Sequence, residues 1–176
     1  GRTLVVALAA FPLVLPPVVS GMLLLSAFGP SGLGSLTGVT VSGTLVGVVL
    51  AQTFVASPFV VLSARSAFAG IDGRLEEAAR TLGASDWHTF RRVALPLAGR
   101  GILAGVTLAF ARAAGEFGAT LMLAYYPRTL PVEIWATFQR SSLDAAVPVA
   151  VVLVIIASAA LVVINVVGAS SLAVDG

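Results

Sequence analysis

The chain has no cysteine and no lysine, a single histidine, and few charges of either sign. Each shortage excludes something. Without cysteine there is no disulfide framework and no thiolate metal site. One histidine is too few for metal catalysis. Without lysine there is no phosphate-binding loop of the form Gly-x-x-x-x-Gly-Lys-Ser/Thr, so ATP hydrolysis is not this chain's work. Ser85, Asp86 and His88 are the only nucleophile-like cluster. Near neighbours on one helix do not make a triad, which is defined by geometry in space. Charged residues are 10% of the 176, against about 25% in soluble domains. So few charges cannot cover a core in water. The net charge of +2 gives no ground for nucleic-acid binding.

Long apolar runs take the place of charge. Hydrophobic residues make up 58% of the chain. Four runs, roughly 4–28, 39–63, 102–126 and 145–167, are long enough to span, since a helix needs about 20 apolar residues to cross about 30 Å of hydrocarbon. The alternation of a membrane β-barrel is missing. The expected fold is an all-α integral membrane protein, a polytopic helical bundle with about four visible spans in a single domain, residues 1–176.

Arginine orients it. Six arginines (Arg65, Arg74, Arg80, Arg91, Arg92 and Arg100) fall between 64 and 100, whereas Arg128 and Arg140 are the basic residues of the opposite loops. The positive-inside rule places 64–100 in the cytoplasm, 29–38 and 127–144 outside, and Asp175 inside. Gly1 reads as an internal boundary, with further sequence upstream.

Within the spans, Pro12, Pro16 and Pro17 predict a bent first helix, which either lines a cavity or is a packing kink with no role in transport. Gly43 and Gly47 form a small-xxx-small pair for close helix packing in the second. Arg112 and Glu116 are ionisable residues inside the third, spaced to meet on one helix face. They serve either as a stabilising ion pair or as part of a gate. Gly115 and Gly118 flank Glu116 and predict irregular backbone there. Outside, Leu130–Arg140 has Leu130, Ile134, Trp135 and Phe138 at helical spacing, with Pro131 suited to a first turn. It reads as an interfacial helix, with Tyr125, Tyr126 and Trp135 at the headgroups, that either only anchors or also receives an external partner.

Residues 64–99 form a charged island. Residues 75–82 are strong helix formers, started by Asp72 or Gly73 and closed by Gly83 in a left-handed cap. Ser85 or Asp86 caps a second helix, whose Trp87, Phe90 and Val93 pack back on the bundle. Pro96 ends or bends it. The result is a helix–turn–helix elbow with its first short helix exposed.

This island resembles a known motif. Glu77-Ala78-Ala79, three residues, Gly83, nine residues, Val93, one residue, Leu95-Pro96 is similar to the EAA loop of ABC-importer permeases, with Val93 where the pattern usually has Ile. The segments 12–21 and 110–120, the latter containing Gly-Glu-Phe-Gly-Ala-Thr, resemble the oxyanion branch of that family, most closely its molybdate/tungstate permeases. The resemblance covers nearly the whole chain. It departs at the N-terminus, where the family normally has at least one more helix, and in the short outer loop 29–38.

The resemblance implies a MetI-like permease core in a bacterial or archaeal cell (inner) membrane, working by alternating access. Glu76, Glu77, Ala78, Ala79, Arg80 and Gly83 would couple to a separate ABC ATPase subunit, supported by Val93, Leu95 and Pro96. Pro16, Pro17, Arg112 and Glu116 are candidates for the pathway or gate. Further partners would be an external solute-binding protein, a second copy of the chain and membrane lipid. This chain would bind no cofactor, ATP and Mg belonging to the ATPase. Sulfate or thiosulfate is the alternative cargo. An ATP-independent transporter or channel built on Arg112 and Glu116 is the rival class, but it offers no reason for the elbow.

Overall fold

The computed structural model describes residues 1–38 and 40–174; Val39 and Asp175, used above for a span boundary and for orientation, lie outside the described residues. All regular structure among the described residues is helical. In chain order the elements are α1 (Arg2–Ala10), α2 (Pro17–Phe28), α3 (Leu33–Thr37), α4 (Leu45–Ala69), α5 (Gly73–Thr81), α6 (Asp86–Thr89), α7 (Leu95–Ala114), α8 (Gly118–Leu123), α9 (Leu130–Arg140) and α10 (Leu143–Val174). Four stretches are long and apolar enough to cross a membrane: Pro17–Leu36, Leu45–Ala69, Asp86–Ala114 and Leu143–Val166.

The number of spans agrees with the sequence; the bounds of the first three do not, the third running Asp86–Ala114 where 102–126 was expected. The first run is broken, not bent. α1 ends in a 3₁₀ turn at Phe11–Leu13, and a new helix starts at Pro17. Pro16 is extended, with φ −54° and ψ 137°. A residue before proline is pushed out of the helical region, and here that residue is itself a proline. The spanning stretch therefore begins at Pro17.

The second helix starts at Leu45, six residues later than expected. Gly43 takes φ +69° in a turn, and the Thr44 hydroxyl caps the helix by accepting from Gly47 N–H at 3.2 Å. A turn residue followed by a cap overrides the apolar pattern. Gly43 and Gly47 thus share no helix and form no packing stripe.

The stripe that does pack lies elsewhere. A Cβ on Gly101 would sit 2.5 Å from Ala67 Cβ, and one on Gly105 would sit 2.6 Å from Ser63 Cβ. These two glycines let α7 lie closely against α4. Likewise a Cβ on Gly21 would meet the Ala119 backbone at 2.6 Å, which seats α2 against α8. The small core of Leu24, Ala51, Val55, Ala119 and Leu123 joins α2, α4 and α8. Large apolar side chains cover the outside, among them Val151, Val154, Ile155, Val162 and Val163 on α10. In water that surface would be prohibitive; in lipid it is solvated.

Pro58 lies inside α4 and is buried. It removes the donor that Phe54 C=O would use. The Ser57 hydroxyl supplies one instead, at 3.1 Å. This is how a proline survives in a membrane helix.

Candidate functional site: the inner elbow and a buried ion pair

The elbow forms as its residues predict. Asp72 caps α5 by accepting from Arg74 N–H at 3.0 Å. Gly83 has φ +87°. Its N–H donates to Arg80 C=O at 2.9 Å, and Ala84 N–H donates to Ala79 C=O at 3.1 Å. These two bonds make a Schellman stop, which needs the left-handed conformation glycine adopts without strain. Ser85 then caps α6, accepting from His88 N–H at 3.3 Å. Arg80 ties the two helices together. It lies 3.6 Å from Glu76 within α5 and donates to Asp86 at 3.0 Å across the turn. Arg80 and Asp86 are exposed and Glu76 is partly so, so the pairs set orientation more than stability.

α5 buries none of its residues. Glu77, Ala78 and Gly83 are exposed, and Glu77 forms no ion pair among the described residues. Leu82 is 89% exposed and Trp87 69%. Beside α5 runs a cavity of about 620 Å³, whose lining includes Ala79, Gly83, His88, Arg92 and Val93. Of the residues expected to pack back, Phe90 stacks on Phe68 at 5.9 Å and Trp87 on Phe90 at 5.6 Å. Trp87 is thus the exposed end of an aromatic ladder.

Pro96 does not end the helix. α6 runs into a π turn at Phe90–Ala94 and on into α7, with Pro96 in its first turn. Leu95 N–H donates to Phe90 C=O, five residues back. The widened turn accommodates a proline that lacks a donor and would otherwise clash with the carbonyl four residues earlier. Asp86–Ala114 is therefore one 29-residue helical stretch, about 43 Å long at 1.5 Å per residue.

That rod ends at the ion pair. Arg112 lies in the last turn of α7, and Arg112 Nη1 is 2.6 Å from Glu116 Oε2. The two do not share a helix face as expected, because α7 stops at Gly115 and Glu116 sits in the break before α8. The irregular backbone predicted around Glu116 is present. The Glu116 side chain is 1% exposed and that of Arg112 29%. Glu116 Oε1 also accepts from Ala119 N–H at 2.7 Å, so one carboxylate joins α7 to α8. Pro17 reaches the same place: a Cβ on Gly118 would lie 3.1 Å from Pro17 Cβ and 3.0 Å from Val18 N. Pro16 and Pro17 are exposed. Sequence reading missed Gln52, whose Nε2 donates to Ala113 C=O at 3.2 Å and ties α4 to the end of α7. A lone amide in an apolar run was the available signal.

On the other side, α9 forms at Leu130–Arg140 as expected, but its inner face is Val132 and Ala136. Arg128 donates to Glu133 at 2.9 Å and to the Tyr126 hydroxyl at 2.5 Å. Its guanidinium lies 4.7 Å from the ring centres of both Tyr125 and Tyr126. Arg140 completes the knot at 2.9 Å from Glu133. The hydrogen bond from Arg128 holds the Glu133 carboxyl below its ordinary pKa, and the same bond raises Arg128.

Residues 1–174 match the model of the family described as the inner membrane component of binding-protein-dependent transport systems. The chain belongs to this family. It is 62% identical to a protein of Haloferax volcanii named as a probable molybdenum ABC transporter permease, over 96% of this chain and 62% of that one. It is 43% identical to a molybdate/tungstate transport permease of Pyrococcus furiosus, over 90% of this chain and 60% of the other. It is 42% identical to a molybdenum transport permease of Haemophilus influenzae, over 79% and 65%. The chain spans about three fifths of the length of these and similar curated relatives.

Proposed function

We propose that this chain is membrane-spanning sequence of an ATP-driven ABC importer that carries molybdate or tungstate by alternating access. The observation that carries the reading is mechanical. A rigid, exposed, Schellman-capped helix leads through a short capped turn into one continuous rod, and the far end of that rod holds the Arg112–Glu116 pair. A push on α5 would be delivered about 43 Å away, given 1.5 Å per residue, with no flexible loop between.

In this reading α5 seats in a cleft of a separate ATPase subunit, which alone binds ATP and Mg. Glu76, Glu77, Ala78, Ala79, Arg80 and Gly83 form the seat, and Val93, Leu95 and Pro96 transmit from it. Residues 64–100 face the cytoplasm. An external solute-binding protein delivers the anion, and a second copy of the permease completes the pathway. Pro16, Pro17, Arg112 and Glu116 belong to the gate, where the buried Glu116 carboxylate is paired with Arg112. The cargo is drawn from the names of the relatives, and Arg112, partly exposed at the end of α7, is in keeping with weak, transient contact with a dianion.

The test is ATP hydrolysis by the assembled transporter in liposomes, with its ATPase and binding protein, supplied with molybdate, tungstate or sulfate. Stimulation by molybdate or tungstate is expected. Stimulation by sulfate alone would reassign the cargo; none by any of the three would remove the oxyanion reading. Glu77→Arg should insert normally and lose coupled uptake, and unchanged uptake would end the coupling assignment.

A further inference from the structure

A groove of about 530 Å³ runs between α4 and α7, lined by Val49, Gln52, Thr53 and Ser57 on one side and Val106 and Phe110 on the other. On α4 its lining runs from Val49 to Val61, about 18 Å of helix, so it lies within the membrane-spanning part. Its polar groups are not equivalent. The Ser57 hydroxyl is committed to Phe54 C=O, and the Gln52 amide donates to Ala113 C=O. Thr53 is exposed, and its hydroxyl makes no hydrogen bond among the described residues. A free hydroxyl beside a carboxamide gains nothing from lipid, whereas water or a polar solute satisfies it. No acidic side chain lines the groove. Ala113, one residue beyond Arg112, is the last α7 residue to line the groove.

An oxyanion offers acceptors only, so it needs donors and the absence of carboxylates along its way. We propose that the α4–α7 groove is one wall of the anion's path and that Thr53 is the hydroxyl donor on it, with Gln52 holding α4 in register against the end of α7. The inference rests on the importer reading above and adds to it the surface along which the cargo moves. The contact is weak by construction, which suits a site the anion must leave.

These 176 residues contain no cysteine, so the test is made in a transporter whose remaining sequence and other subunits have had any cysteine replaced. T53C and V49C are made singly in the transporter assembled with its ATPase and binding protein in liposomes. V154C on α10, where Val154 is 63% exposed on the apolar exterior, is the lipid-facing control. Each is treated with an anionic methanethiosulfonate reagent, which reacts with thiolate in water and scarcely with thiol in lipid. T53C and V49C should react about tenfold faster than V154C or more, and molybdate during ATP turnover should slow T53C. Rates equal to V154C in a complex that still takes up molybdate would overturn the groove assignment and leave the importer reading intact. A complex without cysteine that takes up no molybdate, tungstate or sulfate would overturn the importer reading, and this inference with it.

Discussion

The inner elbow and the outer segment are built from similar material and finished in opposite ways. Each places a short helix of mixed charge between spanning helices. On the outer side the charges close on one another: Glu133 takes both Arg128 and Arg140, and Arg128 is clasped by two tyrosines. α9 also buries Val132 and Ala136. On the inner side α5 buries nothing, Glu77 is unpaired among the described residues, and Leu82 and Trp87 stand in the open. Yet the elbow is no floppy loop, because caps at Asp72, Gly83 and Ser85 fix its backbone. A segment that satisfies its own groups anchors. A segment held rigid with its groups unsatisfied is shaped for a partner.

Four changes would break or sharpen that contrast. The largest effect is expected from Gly83→Val. At φ +87° a β-branched residue is strongly disfavoured, so the stop between α5 and α6 should fail. Coupled uptake should fall about tenfold or more, equivalent to at least about 1.4 kcal/mol in the transition state, with insertion unchanged. Normal uptake would mean that the elbow's rigidity is irrelevant to coupling.

Next is Arg128→Ala, which removes the centre of the outer knot. The midpoint of thermal unfolding should drop by about 2–4 °C, while α5 exchanges its amides as before. If exposed Gln139→Ala gives the same drop, the knot is not what holds α9.

A smaller effect should follow pH. The folded pKa of Glu133 lies below its unfolded value, chiefly through the hydrogen bond from Arg128. Its stabilising contribution is therefore complete above the ordinary carboxylate range and is lost as pH falls through the lowered value. Hydrogen exchange in 128–140 should accelerate below that range, and Glu133→Gln should flatten the dependence. A variant that keeps the same profile would place the titration elsewhere.

The smallest effect on folding is expected from Leu82→Ser. The side chain is 89% exposed, so stability should move by no more than about 0.5 kcal/mol. Affinity for the ATPase subunit should nevertheless weaken severalfold in a binding titration. Unaltered affinity would show that the open face of the elbow is not the docking face.

Legibility followed the range of the interactions. α5, its glycine stop and α9 depend on neighbours within a few residues, so Asp72, Gly83, Ser85 and Leu130–Arg140 could be read in order along the chain. The spans were legible because lipid selects length and apolarity alone. Their ends were not, where local chemistry competes with apolarity: Pro16-Pro17 breaks the first run, and Gly43-Thr44 delays the second. The close-packing glycines Gly101 and Gly105 were missed because a small residue becomes a contact only when another helix arrives.

By itself the sequence determined an all-helical membrane protein with an exposed capped elbow and a family resemblance in its motifs, since solvation by lipid and capping are written in composition and short spacing. Only the tertiary structure decided that Pro96 lies inside a continuous rod, that Glu116 meets Arg112 across a helix end, and that Gln52 and Thr53 share a groove with α7. Those outcomes depend on how a carbonyl, a carboxylate or an amide finds a partner on another element, and in a bilayer that partner must come from the fold because water is not there to supply it.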